Sequence, residues 1–178
     1  METKPYLISL DPGSTQTGLC IIRKEDMMPV IAAKLNNEAI FDAISNQLYK
    51  IGAKYADCDA VIERIAGTFM NNFSAVYVTC EWVGIFKYEF MARGILPSFV
   101  YRPEEYKALC GNIYPRNDKG IRNALVDRFA YGQKNYGKGS KSNPGWFYGF
   151  SADSWAAYAV AVTHMDMGDT TRSWKVGE

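Results

Sequence analysis

Tyr6-Leu7-Ile8-Ser9-Leu10-Asp11-Pro12-Gly13 alternates large apolar side chains with smaller or polar ones and then stops at Pro-Gly. The stretch reads as a β-strand that ends in a turn, with a carboxylate at its last position. Residues 17–23 and 29–34 follow at hairpin distances and complete a three-stranded antiparallel meander. Residues 37–55 then place Ile40, Phe41, Ile44, Leu48 and Ile51 at helical spacing behind an Asn36-Asn37 cap, and residues 59–65 form a β-branched run suited to a buried parallel strand. The helix between the two is the crossover. A second long helix covers 74–92 and closes at Arg93-Gly94, residues 97–101 form another strand, and helical patterns recur over 104–109, 117–129 and 151–165.

The order β-β-β-α-β-α-β-α-α with a closing helix predicts an α/β fold, a mixed five-stranded sheet flanked by helices, in the ribonuclease H-like topology. The chain has 178 residues, 48% of them hydrophobic and 22% charged, which excludes disorder as the main state and fits a single domain over 1–178. No run of about 18 apolar residues exists to cross a bilayer, and Met1-Glu2-Thr3-Lys4-Pro5 lacks the layout of a signal peptide, so a cytoplasmic protein is expected. Cys20, Cys58, Cys80 and Cys110 stand among apolar neighbours without Cys-x-x-Cys spacing and read as reduced core thiols. His164 is the only histidine, which argues against His-rich metal sites and Ser-His-Asp catalysis.

Three acids stand out. Asp11 ends a strand that should be central. Glu63 interrupts the otherwise apolar strand Ala60-Val61-Ile62, where an isolated carboxylate is costly or is forced to protonate. Asp153 opens a helix whose Ala152, Ala156, Ala157, Ala159 and Ala161 let it lie close against a sheet. Each acid also has an ordinary use: Asp11 as a turn former, Glu63 as a partner of Arg64 or a neighbouring lysine, and Asp153 as a first-turn acid behind a Ser151 cap. Gathered at one point, however, three carboxylates without a histidine are hard oxygen ligands of the kind Mg²⁺ or Mn²⁺ prefers. Two such ions about 3.5–4 Å apart activate a water and stabilise a leaving oxygen in phosphodiester hydrolysis.

Charge is uneven along the chain. Between positions 102 and 145 there are nine Lys or Arg against four Asp or Glu, although the net charge is only +1. Lys107, Arg116, Lys119 and Arg122 precede a Gly-rich stretch, 131–149, that carries Lys134, Lys138 and Lys141 among Tyr131, Tyr136, Trp146, Phe147 and Tyr148. That stretch is the candidate for a long mobile loop. Cations that contact phosphates beside aromatics that stack on bases suit a branched nucleic acid, whereas a solvated loop with one aromatic anchor is the plainer alternative.

The segment from Ile8 through Asp11 to Gly18, the strand Ala60-Val61-Ile62-Glu63 and the helix start Ala152-Asp153-Ser154-Trp155-Ala156 together resemble the acidic motifs of RuvC-type Holliday junction resolvases. Tyr101-Arg102-Pro103, then Tyr106-Lys107 through Gly111, and Lys119 to Arg122 are similar to the smaller bacteriophage members in particular. The resemblance implies a Mg²⁺-dependent endonuclease, with Mn²⁺ as an alternative ion and two ions per site, that cuts four-way DNA junctions as a homodimer. It implies Asp11, Glu63 and Asp153 as metal ligands, Lys119 close to the cleaved phosphate, and Phe69 within a segment that enters the junction centre. For a phage protein, the host bacterial cytoplasm follows.

The family's last helix usually has two metal-binding positions three residues apart, and here one is not acidic. If Asp153 takes the later position, Phe150 fills the earlier; if Asp153 takes the earlier, Ala156 fills the later. The missing acid leaves open a junction-binding protein with weak or no cleavage. Residues 11–18 also resemble the first phosphate loop of actin-like sugar kinases, but no second such loop follows and the chain is too short for their adenosine-binding domain.

Overall fold

The computed structural model describes residues 4–65 and 73–168, except for the side chains of Ala152 and Asp153. Strands β1 (Tyr6–Pro12), β2 (Gln16–Arg23) and β3 (Pro29–Asn36) form the expected meander, and β4 (Cys58–Arg64) and β5 (Ser98–Tyr101) extend it in the order β3-β2-β1-β4-β5. β1 and β2 pair antiparallel, whereas β1, β4 and β5 run parallel. The register sets Leu10 opposite Ile62 and Glu63 opposite Val100, so the carboxyl ends of three parallel strands lie side by side.

Alternation along these strands builds two cores. Ile8, Leu10, Leu19, Ile21, Ala60 and Ile62 pack with helices α1 (Ile40–Lys50) and α2 (Phe73–Ala92) on one face. On the other face Leu7, Cys20, Ile22, Val61 and Val100 pack with two later helices, α4 (Asp118–Phe129) and α5 (Ala152–Met167), which follow the single turn α3 (Arg102–Glu105). Asp11 and Glu63 each lie two residues beyond a member of this second set or its neighbour Ser9, so both carboxyls belong to the α4/α5 face. The alanines of α5 do what their size suggests: Ala157, Ala159 and Ala161 are fully buried against the sheet.

Several expectations need correction. The crossover helix is shorter than 37–55, ending at Lys50 before Gly52, whose φ of +68° is a left-handed value suited to glycine. Asn36 makes no capping bond, and Asn37 is drawn elsewhere: its Oδ1 accepts from Thr17 Oγ1 at 2.7 Å and its Nδ2 donates to Gly13 O at 3.0 Å. Asn37 thus braces the turn that follows Asp11. The helix expected over 104–109 is replaced by α3 and a wider π-type turn over Tyr106–Cys110. Cys80 is exposed on α2, unlike the buried Cys20, Cys58 and Cys110; all four are free thiols.

Residues 131–149 are built rather than loose. A bridge joins Gly139 to Pro144, Gly145 N donates to Lys138 O at 3.0 Å, and Phe147 is fully buried among Phe150, Trp155 and Tyr158 with ring centroids 4.5–5.7 Å apart. Each such aromatic pair adds about 0.5–1.5 kcal/mol beyond its burial. Trp146 Nε1 donates to Tyr158 Oη at 3.0 Å, and Tyr158 Oη donates to Met27 O at 3.0 Å, tying this segment through α5 to the β2–β3 hairpin. Among the described residues, no helix is long and apolar enough to cross a membrane.

Candidate active site at the strand ends

Asp11 and Glu63 come from adjacent parallel strands and their carboxyls lie within hydrogen-bonding reach of each other. Strand ends of this kind are where open α/β sheets bind ligands, because the turns diverge and leave a crevice. Burial pushes the Glu63 carboxyl well above the usual carboxylate range, and the nearby negative charges of Glu105 and Asp11 push it further, while Arg102 opposes them. Two carboxyls in such contact cannot both ionise without a cation between or beside them.

That neighbouring cation arrives from α3. Arg102 Nη1 is 3.0 Å from Glu105 Oε2 and 4.0 Å from Glu63 Oε2, while Nη2 bonds Asp118 Oδ1. Glu105 is fully buried, and its Oε1 has no hydrogen-bond partner. Burial raises the Glu105 carboxyl, Arg102 lowers it, and Asp11 raises it again. Arg64, the other cation considered for Glu63, stacks over Phe99 at 4.7 Å, on the α2 side of the sheet.

A cavity of about 170 Å³ opens here, lined by Asp11, Arg102, Asp118, Ile121, Arg122, Trp155 and Ala156. α4 reaches it because Asn117 caps the helix, accepting from Gly120 N at 2.9 Å, and because Gly120 lies directly on Pro115. A Cβ at position 120 would stand 1.8 Å from Pro115 O, a gap only glycine tolerates. Arg122 holds its guanidinium 5.8 Å from the Trp155 ring and 5.9 Å from that of Tyr136, with Nε buried and without a hydrogen-bond partner.

Of the residues singled out from the sequence, the fold brings Asp11, Glu63 and Arg122 to this point. Asp153 lies in the first turn of α5, three residues before Ala156, and its side chain lies outside the described residues, as does Phe69. Ala156 rather than Phe150 faces the cavity, since Phe150 is buried against Phe147, Trp155 and Tyr158. Lys119 is exposed on the first turn of α4, next to the cavity-lining Asp118 but not itself part of the lining. Lys107, Arg116, Lys134 and Lys141 are exposed and Lys138 is half-buried, and none of them is part of the lining. Two cations of the basic stretch are already engaged: Arg102 with the acids above, and Arg128 with Asp166 at 2.6 Å.

Sequence reasoning missed Arg102, Glu105 and Asp118. A signal was present in Tyr101-Arg102-Pro103-Glu104-Glu105: Glu104 takes the capping position and accepts from Tyr101 N at 2.9 Å, which leaves Glu105 to point inward.

The donor set suits a hard divalent ion. Asp11, Glu63, Glu105 and Asp118 offer oxygens only, Arg102 is the guanidinium bonded among them, and Glu105 Oε1 is left orphaned. Among the described residues, which leave out the side chain of Asp153, no group of three or more Asp, Glu, Cys or His is placed so that it could hold a metal ion.

The sheet order and the flanking helices define a ribonuclease H-like α/β fold. This fold is that of RuvC. The RuvC of T. thermophilus in complex with a Holliday junction substrate superposes with a TM-score of 0.60 at 14% identity, over 89% of this chain and 91% of that one. A second Thermus thermophilus RuvC structure gives 0.58 at 15% identity, over 89% and 92%. No protein-family model matches the sequence, and no curated protein matches it.

Proposed function

We propose that this protein is a metal-dependent endonuclease that cleaves branched DNA, resolving four-way junctions by paired nicks. The observation that carries the reading is the contact between Asp11 and Glu63 at adjacent strand ends, beside an open cavity. The neighbour with DNA is itself a RuvC bound to a Holliday junction substrate, which supports the substrate class.

Asp11, Glu63 and Asp153 would hold Mg²⁺ or Mn²⁺, two ions per site. Bound there, such ions lower the pKa of a water and stabilise the leaving oxygen of the phosphodiester. The chain's own residues do the rest. Asp11 and Glu63 concentrate negative charge at the strand ends, Arg122 and Lys119 offer positive charge to a phosphate at the rim, and Trp155 walls the cavity from the core. Lys107, Arg116, Lys134, Lys138 and Lys141 extend a cationic surface along the DNA arms, with Phe69 toward the junction centre. On this reading the protein is akin to the small bacteriophage members of the RuvC group and works in the cytoplasm of a bacterial host.

A junction has two strands to cut symmetrically, which calls for two copies of the chain. α2 would supply that contact, since its Tyr77, Ile85, Tyr88 and Met91 recur at helical spacing and are exposed.

A second reading, a junction-binding protein with little cleavage, is favoured by one observation: Ala156 lines the cavity where a further acid would complete the set. Incubating a labelled four-way junction with the protein, with Mg²⁺ or with EDTA, separates the two. Paired nicks only with Mg²⁺ support the nuclease, and a retarded but intact junction under both conditions supports the binder.

A further inference from the structure

Glu105 is the only acidic residue among the described residues that is buried, and it is buried completely. Its Oε2 accepts from Arg102 Nη1 at 3.0 Å, yet its Oε1 meets neither solvent nor a donor. Anchoring Arg102 does not account for this arrangement. An anchor needs one oxygen, and Arg102 already reaches Asp118 and Glu63. A second oxygen kept dry and unpaired is the mark of a ligand position whose partner is supplied from outside the chain.

Place in the fold agrees. α3 follows directly from β5, whose end stands beside Glu63, and it packs against α5, the helix in which Ala156 faces the cavity instead of an acid. The carboxylate that α5 lacks therefore has a counterpart one layer away.

We propose that Glu105 is a metal-ligating residue of this site: Oε1 completes the oxygen set that α5 leaves short at Ala156, and Arg102 is the internal cation that holds Glu105 until a divalent ion enters. The inference rests on the metal-dependent reading above.

The test is Mn²⁺ binding to the full chain without DNA, measured by the loss of the free aqueous Mn²⁺ signal in electron paramagnetic resonance. Glu105→Gln keeps the bond to Arg102 but removes the charge, and is expected to lose one bound Mn²⁺ or to weaken uptake tenfold or more. Glu104→Gln, at the neighbouring residue whose carboxylate caps α3, is expected to bind as the parent does. If Glu105→Gln binds like the parent while Asp11→Asn loses Mn²⁺, the role assigned to Glu105 is wrong and the metal site stands. If the parent takes up no Mn²⁺ at millimolar concentration, the metal reading itself falls, and this inference with it. Should Glu105→Gln not fold, Glu105→Asp keeps the charge but withdraws the carboxylate by one methylene; weakened uptake then supports the assignment and unchanged uptake overturns it.

Discussion

Ser9 Oγ donates a hydrogen bond of 2.7 Å to the carbonyl of Ala157, joining the central strand to the last helix. Ser9 stands two residues before Asp11 and Ala157 one residue after Ala156, so this bond sets which residue of α5 meets the strand ends. Ala156 faces the cavity beside this bond, while Phe150, which precedes α5, is packed in the aromatic core.

An acid placed at that point would add an oxygen beyond the one proposed for Glu105. Ala156→Asp is expected to tighten Mg²⁺ binding on the order of tenfold, about 1.4 kcal/mol, and to raise cleavage at limiting Mg²⁺. Phe150→Asp should instead lose about 3 kcal/mol or more of stability by emptying a packed site. Calorimetric Mg²⁺ titration with thermal melts on both variants checks the pair, and a tighter site in Phe150→Asp would reverse the register.

Asp11→Asn should reduce Mg²⁺-dependent junction cleavage by about 10³-fold or more, since metal stabilisation of the transition state is worth several kcal/mol. Junction binding should hold or improve, because a charge that repels phosphate is gone. Cleavage and gel-shift assays on the same preparation check this; undiminished cleavage would remove Asp11 from the mechanism.

Stability of the metal-free protein should fall as pH rises. Burial and the charges of Glu105 and Asp11 raise the Glu63 carboxyl above its ordinary 4.5, so the folded state holds a proton that the unfolded state releases. The gain is complete below about pH 4.5 and is lost on the way up through neutral and alkaline pH. Glu63→Gln should flatten the slope of melting temperature against pH. An equally steep slope in that variant would place its origin elsewhere.

Replacing Lys134, Lys138 and Lys141 by alanine should weaken junction binding and lower the log–log salt slope by roughly 0.9 for each phosphate that is no longer neutralised. Fluorescence anisotropy across a salt series measures both. Unchanged slope and affinity would leave the three as solvated loop charges.

Ile85→Lys with Tyr88→Lys should convert a dimer to a monomer in sedimentation, since two charges on the exposed stripe of α2 cannot be buried unpaired. A dimer that survives both would move the contact off this helix.

The meander, the parallel strands and the positions of Asp11 and Glu63 were legible because alternation, turn residues and a misplaced carboxylate are local signals. Glu105 was not. Its burial comes from the single turn of α3 and the π-type turn after it, which bend the chain where hydrophobic spacing promised an ordinary helix. Arg102 was hidden for the opposite reason, standing in a run of positive charges that looked uniform until Glu63, Glu105 and Asp118 came to it from three other places in the chain. Asn37 illustrates the same limit: a good cap by composition, it is recruited by Thr17 and Gly13 because tertiary partners stand nearer.

The relay from Trp146 through Tyr158 to the Met27 carbonyl crosses three parts of the chain that share no strand pairing. Its consequence is metrical. The basic segment is fastened to the same helix that borders the cavity, so on the proposed function an anion held at Lys138 would sit at a set offset from Asp11. On that reading the surface would gauge the path between two points on a ligand, and a ligand whose charges follow another curve would be refused by shape before any chemistry begins.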